Sequence, residues 1–375
     1  MKSQKKTSCD TRYQNVKVRN HLELIIFAAN YVTADCNLIK ESKMETTQKT
    51  DSQVSTHEEQ APSLMSKALG FISNNSTFVV FVVMLIIAGF LSDRFYTEGN
   101  ITNVLRQSVP LGLATLGMLY VIITGGIDLS VGSIMALVSV VVALLIPEFG
   151  LYTALLGGAV AATFAGVLSG ILVTSFNIAP FIATLAMMTI ARGVALIISK
   201  GQPVFIDDPA LIDFGTGYLF GIPLPVYVLV AFAIVAHFIY KHTVFGRLVV
   251  SIGSNETATR FAGIRVNYFK LSVYAISGLA CGLAGILAAS RTGVGSPVLA
   301  IGFELDVIAA VVVGGASLAG GKGTVINTII GVLILSMISN LMNLMNISGY
   351  NQQVIKGGII IAAVMLESFK SRTKV

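Results

Sequence analysis

The sequence predicts an all-α polytopic membrane protein with about ten transmembrane helices and both termini in the cytoplasm. Composition is the first reason. Charged residues make up 12% of the 375-residue chain and hydrophobic residues 54%, whereas a soluble domain carries roughly 25% charged residues. Mean hydropathy is +0.80. The second reason is where the charge lies. Met1–Ser76 holds ten Lys/Arg and eight Asp/Glu, 18 of the 44 charges, and the other 299 residues share 26. Third, apolar runs about as long as a bilayer is thick follow one another from there onward. The runs are continuous and poor in proline, which points to helices and away from a barrel, whose strands would alternate. The net charge of +6 therefore gives no reason to expect nucleic acid as a partner.

Residues 1–75 read as a polar cytoplasmic tail. Its one apolar patch, Leu22–Val32, contains Glu23 and is too short to span. No clean apolar core followed by a small-residue cleavage site marks a signal peptide. Ser42–Ser63 is rich in Thr, Gln, Ser and Glu and is expected to be disordered. Met44 and Met65 are alternative starts of translation. Spans are then expected at 77–92, 107–124, 131–146, 151–175, 179–199, 223–240, 268–290, 304–320, 324–344 and 353–369. They make 76–369 the transmembrane domain, followed by a short C-terminus, 370–375.

Lys and Arg orient these spans. With the N-terminus inside, the inner segments hold nineteen: ten in the tail, then Lys241, Arg247, Arg260, Arg265, Lys270, Lys322, Lys370, Arg372 and Lys374. The outer segments hold Arg94, Arg106, Lys200, Arg291 and Lys356. Cytoplasmic loops are the basic ones, so both termini are placed inside and the loop 200–222 outside. Gly166–Gly170 and Gly278–Gly282 are GxxxG pairs, which let helix backbones approach closely in lipid. Cys9, Cys36 and Cys281 form no CxxC pair and read as structural.

The most informative stretch lies between the second and third spans, VIITGGIDLSVGSI over Val121–Ile134. Gly125 and Gly126 offer backbone freedom, and Asp128 or Ser130 suits an N-cap. A carboxylate this close to hydrocarbon needs a partner or a wet cavity. The stretch is either a tight turn capped by Asp128 or a helix broken beside a transport path. GGIDLSVGS resembles the motif of permease subunits of carbohydrate ABC importers of the ribose type. Three further stretches agree in order: PFIATLAMMTIARG (180–193), GSNETATRFAGI (253–264) and FELDVIAAVVVGGASLAGGKGT (303–324). The resemblance runs from about Thr97 to Glu367 and leaves the first 75 or so residues uncovered.

The longest inner loop, Lys241–Lys270, outlines a helix over Glu256–Ala262. Ser254 or Asn255 suits its N-cap, Glu256 its first turn and Gly263 its stop. A helix so short is unstable alone and needs a surface to dock on. The resemblance implies that this is a coupling helix seated on an ATPase subunit, with Gly253, Asn255, Glu256, Ala258, Arg260 and Gly263 as its residues. A loop helix resting on the bilayer is the alternative. The glycine-rich run GGASLAGGKGT (314–324) is no phosphate loop. Gly315 and Gly320 have the spacing, but Gly321 stands where Lys is needed and Gly323 follows Lys322 where Ser or Thr is needed. A faint echo links this run, from Gly314, to GGIDLSVGS, from Gly125.

Ser336, Ser339, Asn340 and Asn343 share one helix face. They suit either a path for a polyhydroxylated solute or hydrogen bonds between helices. Arg192 lies within a span and needs a partner, for which Asp128, Glu304 and Asp306 qualify. Phe181 and Phe205 suit stacking on a sugar ring or plain packing. Candidate path residues are thus Gly125, Gly126, Asp128, Ser130, Arg192, Asn340 and Asn343.

The resemblance implies the translocation subunit of an ATP-driven importer in the bacterial inner membrane, carrying a pentose, a hexose or a related polyol. It implies as partners a separate ABC ATPase, a second permease subunit (a copy or a close paralogue), a periplasmic sugar-binding protein and membrane lipid. No catalytic residue, cofactor or metal is expected. An ABC permease for an amino acid or a signalling molecule is the nearest alternative. An ion-coupled secondary transporter is further off, since deep acidic groups are almost absent.

Overall fold

The computed structural model describes residues 76–372. The readings made on the polar tail, including Cys9, Cys36, Met44 and Met65, lie outside the described residues. So does the last part of the C-terminus, 373–375.

Helices make the fold, with only two-residue strand pairings between them. They are α1 (Ser76–Leu91), α2 (Glu98–Ile123), α3 (Val131–Phe149), α4 (Leu151–Thr174), α5 (Pro180–Ile198), α6 (Pro209–Thr216), α7 (Leu224–His242), α8 (Val244–Ser254), α9 (Glu256–Phe261), α10 (Val266–Thr292), α11 (Phe303–Val313), α12 (Val325–Leu344) and α13 (Gly349–Arg372). Short strands are β1 (Val204–Phe205), β2 (Tyr218–Leu219), β3 (Ile222–Pro223) and β4 (Val294–Gly295). Strand β1 pairs antiparallel with β4, and β2 with β3. Seven of the described helices are long and apolar enough to cross a membrane: α2, α3, α4, α5, α7, α10 and α12. The protein is an all-α polytopic membrane protein.

Three predicted spans take other forms. The first is α1, of 16 residues. The last falls in α13, 24 residues that include Lys356, Glu367, Lys370 and Arg372. The run 304–320 is not one helix. It stops at Val313 and turns through Gly314 and Gly315, the latter at φ +83°. Ala316, Leu318 and Ala319 beyond the glycines keep the apolar run going where the backbone has already left the helix. The second span starts earlier than predicted, at Glu98, because Arg106 is accommodated on the way: its Nη2 donates to the Thr216 carbonyl at 2.7 Å.

Helix α10 is the central post. It packs against α2, α3 and α4, and glycines set the distances. A Cβ on Gly278 would lie 2.5 Å from the Ala162 carbonyl oxygen and 3.0 Å from Gly166 Cα. One on Gly166 would lie 2.4 Å from the Tyr274 carbonyl oxygen. The two GxxxG motifs therefore meet each other, and backbone touches backbone where α4 crosses α10. Cys281, on the same helix, is a free and buried thiol.

Candidate functional site: two broken helices and a capped helix at one end

The break between α2 and α3 lies deep in the protein. Helix α2 ends in a glycine stop: Gly125, at φ +78°, donates to Ile122, and Gly126 donates to Val121 at 3.0 Å. The chain then passes Tyr274, whose hydroxyl oxygen would be 2.6 Å from a Cβ on Gly126. Asp128 follows, with 0% exposure. Its Oδ1 accepts from the Ser130 amide at 3.0 Å and the Ser130 hydroxyl at 2.5 Å. Its Oδ2 accepts from the Ser277 hydroxyl at 2.8 Å. The partners expected of a buried carboxylate are therefore hydroxyls, an amide and the N-terminus of α3. Ser130 is no cap, since its side chain accepts nothing from α3 and is spent on Asp128. Thr184 closes the loop from α5, donating to Ile127 O at 3.2 Å. Ser277 is eleven residues, about 16 Å, beyond the start of the 27-residue α10, so α3 starts beside the middle of α10.

A half-length helix starts beside it. After β4 the chain returns toward the core with Ser296 NH on the Ser139 hydroxyl at 3.1 Å. Arg192 Nη1 holds the carbonyls of Pro297 and Leu299 at 2.7 and 2.6 Å. A Cβ on Gly132, in the first turn of α3, would lie 2.4 Å from Ala300 O and 3.2 Å from Glu304 Oε2. Eleven-residue α11 therefore begins against the beginning of α3 and covers about half a membrane. Irregular backbone at this depth is tolerated only where protein or a wet path surrounds it.

Arg192 is thus hydrogen-bonded to carbonyl oxygens, with the charge of Glu304 acting on it, and is not paired with Asp128. Asp306 is paired with Lys356 at 2.7 Å. Asn340, 2% exposed, exchanges amide hydrogen bonds with Asn100 at 3.0 and 2.7 Å, which ties α12 to α2. Asn343 is exposed at the end of α12 and accepts from Gln352 at 2.8 Å. Both amides therefore hold helices together. Phe181 and Phe205 are exposed.

The inner-loop residues come together at one end of the protein. Asn255 Oδ1 accepts from the Ala258 amide at 2.9 Å and caps α9, while Ser254 turns its hydroxyl back to Val250 O. Gly263 ends the turn at φ +82°. Glu256 meets Arg260 at 2.9 Å and Lys270 at 2.5 Å, which anchors α9 to α10. Partial burial pushes the Glu256 carboxyl up, but hydrogen bonds and charge from Lys270 and Arg260 outweigh it and hold the group below the usual carboxylate range. Thr259 is buried against Ser251 at 2.9 Å. Ala258 and Phe261 face out, the latter 87% exposed.

Sequence reading missed Tyr274, Ser277 and Thr184 around Asp128, and Gly132 where the starts of α3 and α11 meet. Ser277 stood beside the GxxxG of α10, a position that says "packed" without saying against what.

These features define a class: a multi-pass membrane permease in which the starts of two helices meet in the protein interior. A family model described as the permease component of the branched-chain amino acid transport system matches residues 100–364, and the chain belongs to that family. It is similar to the ribose import permease of Haemophilus influenzae, 37% identical over 309 residues, 81% of this chain and 96% of that one. The ribose import permease of Bacillus subtilis is 39% identical over 305 residues, 80% of this chain and 95% of that one. The L-arabinose transport system permease of Escherichia coli K12 is 37% identical over 297 residues, 79% and 90%. No solved structure matches the chain significantly.

Proposed function

We propose that this chain is the translocation subunit of an ATP-driven importer of a pentose or a closely related monosaccharide in a bacterial inner membrane. The relatives named for ribose and arabinose cover four-fifths of the chain and support the solute class. The observation that carries the ATP-driven part is α9: six residues, capped, braced by ions, with Ala258 and Phe261 left uncovered at the basic end of the protein. The excess of Lys and Arg in the inner segments supports a cytoplasmic position for α9 and for both termini. ATP is hydrolysed on a separate subunit whose groove receives α9; a soluble binding protein delivers the sugar on the other face. A second permease subunit completes the path, in which the α2–α3 and α11 breaks and Arg192 lie beside the solute.

The test is uptake into proteoliposomes holding the permease, its ATPase and the binding protein. Labelled ribose or arabinose enters only with ATP and all three proteins, and leucine does not compete. Uptake of leucine instead would give the amino-acid reading, and uptake driven by a Na⁺ or H⁺ gradient without ATP would overturn the importer. Ala258→Trp crowds a tight groove at a cost of about 1–3 kcal/mol. It weakens ATPase co-purification and lowers uptake while membrane insertion is unchanged.

A further inference from the structure

Gly253 closes α8 two residues before the cap of α9, and it touches the end of α2. A Cβ there would lie 1.7 Å from the carbonyl oxygen of Ile123, the last residue of α2, and 2.5 Å from the amide nitrogen of Gly321. That same Ile123 carbonyl accepts the Gly321 N–H at 2.9 Å. Gly320 and Gly321 have φ +90° and +73°, which other residues adopt only with strain. A Cβ on Gly320 would come within 3.0 Å of Gly253 O and 3.1 Å of both Gly125 N and Ile123 O. Three main chains therefore meet with no side chain between them. They are the α8–α9 junction, the end of α2 and the turn from α11 to α12.

Such a contact has no rotamer to absorb a displacement. When one chain shifts by an ångström, the others must follow or the hydrogen bond must break. On one side the joint leads through Ser254 to Asn255, whose side chain caps α9. On the other it leads through Gly125 to Asp128, which is bonded to Ser130 and Ser277. Further ties from α9, Glu256 to Lys270, Arg260 to Asn267 and Thr259 to Ser251, run through side chains, which have rotamers to absorb a displacement.

We infer that Gly253, with Gly320 and Gly321, is a rigid backbone joint that carries the displacement of α9 to the break between α2 and α3. The inference rests on the reading of α9 as the coupling helix. The glycine-rich run that fails as a phosphate loop has its purpose here: glycine alone leaves room for this three-way approach.

Two variants of the full reconstituted transporter test it. Gly253→Ala forces the joint apart, so sugar uptake falls at least tenfold while the ATPase still co-purifies and ATP is still hydrolysed. In the second, Ser254→Cys and Lys322→Cys are introduced after the native cysteines are replaced, and the pair is clamped with a short thiol crosslinker. Uptake stays within twofold of the unclamped protein, because the joint moves as one body. Normal uptake in Gly253→Ala, or loss of uptake on clamping, overturns the joint. If Gly253→Ala fails to reach the membrane, the clamped pair decides alone. Ala258→Trp separates the two ideas. Full uptake in that variant sinks the coupling reading itself; uncoupling there with normal uptake in Gly253→Ala sinks only the joint.

Discussion

Asp128 shows what a single residue has to solve in this fold. Its carboxylate is fully buried with no cation bonded to it among the described residues, and it is held by the amide and hydroxyl of Ser130 before α3 and the hydroxyl of Ser277 on α10. Asp128→Asn keeps the shape but replaces one accepting oxygen with a donor, so the Ser277 or the Ser130 hydroxyl must turn to accept from the amide and the stronger charged hydrogen bonds are lost. Uptake is expected to fall several-fold with the protein still folded. Asp128→Leu leaves all three donors unpaired at about 1–3 kcal/mol each. It should lower the melting temperature in detergent and the amount of protein in the membrane. Equal uptake in wild type and both variants would make the carboxylate incidental. The sequence announced Asp128 through its cost in hydrocarbon, yet its partner Ser277 lies 149 positions away. No local pattern encodes that register. The same limit left Arg192 with three candidate carboxylates: its hydrogen bonds go to carbonyl oxygens, and of the three it is Glu304 whose charge acts on it.

Elements were read best where a stop is written in glycine. Helix α9 was legible because Asn, Glu and Gly stand at cap, first turn and stop, and the structure differs from that outline by one residue at its end. Helix α11 was overdrawn because hydropathy does not register a turn made of Gly314 and Gly315. The faint echo between the two GG runs has a structural counterpart, displaced by one residue. Gly125 and Gly315 both take φ near +80° and end their helices with the same pair of backward hydrogen bonds. Packing of elements gives a graded prediction. Gly278→Leu drives a side chain into backbone at Gly166 and Ala162 and should leave little folded protein. Gly193→Ala and Gly357→Ala meet nothing within 4 Å and should be neutral. Comparable fluorescence-detected size-exclusion peaks for all three would contradict the close crossing. The Glu256 brace adds a pH dependence. Its carboxyl is held below its ordinary value, so its stabilisation is fully present above the ordinary carboxylate pKa. It is lost as pH falls through the lowered value. Hydrogen exchange at α9 amides, corrected for the intrinsic pH effect, should rise in acid in the wild type and show no such step in Glu256→Gln.

For the whole molecule, the physical question is how much chain the transport unit needs. The matched relatives are covered over 90–96% of their own lengths by about four-fifths of this chain. The family model begins at residue 100 and the described helices at Ser76. Among the described residues, 76–372, lie a hydrophobic core, the two breaks, the glycine joint and the hydrogen bonds that hold Asp128 and cap α9. The first 75 residues carry 18 charges and one short apolar patch with a glutamate in it, which lacks the length to add a span. We therefore expect a chain begun at Met65 to insert, to pull down its ATPase and to take up sugar at a rate within about twofold of the full chain. The matched control is a deletion of α1, which removes Ala88 from the small core that it forms with Phe95, Val104, Met337 and Leu341 and should cost folded protein. Uptake abolished by the Met65 start, with normal insertion, would mean that the polar segment contributes to transport directly. Its charge, ten basic and eight acidic residues, nearly cancels, so such a contribution would have to be specific and not a general attraction to the membrane surface.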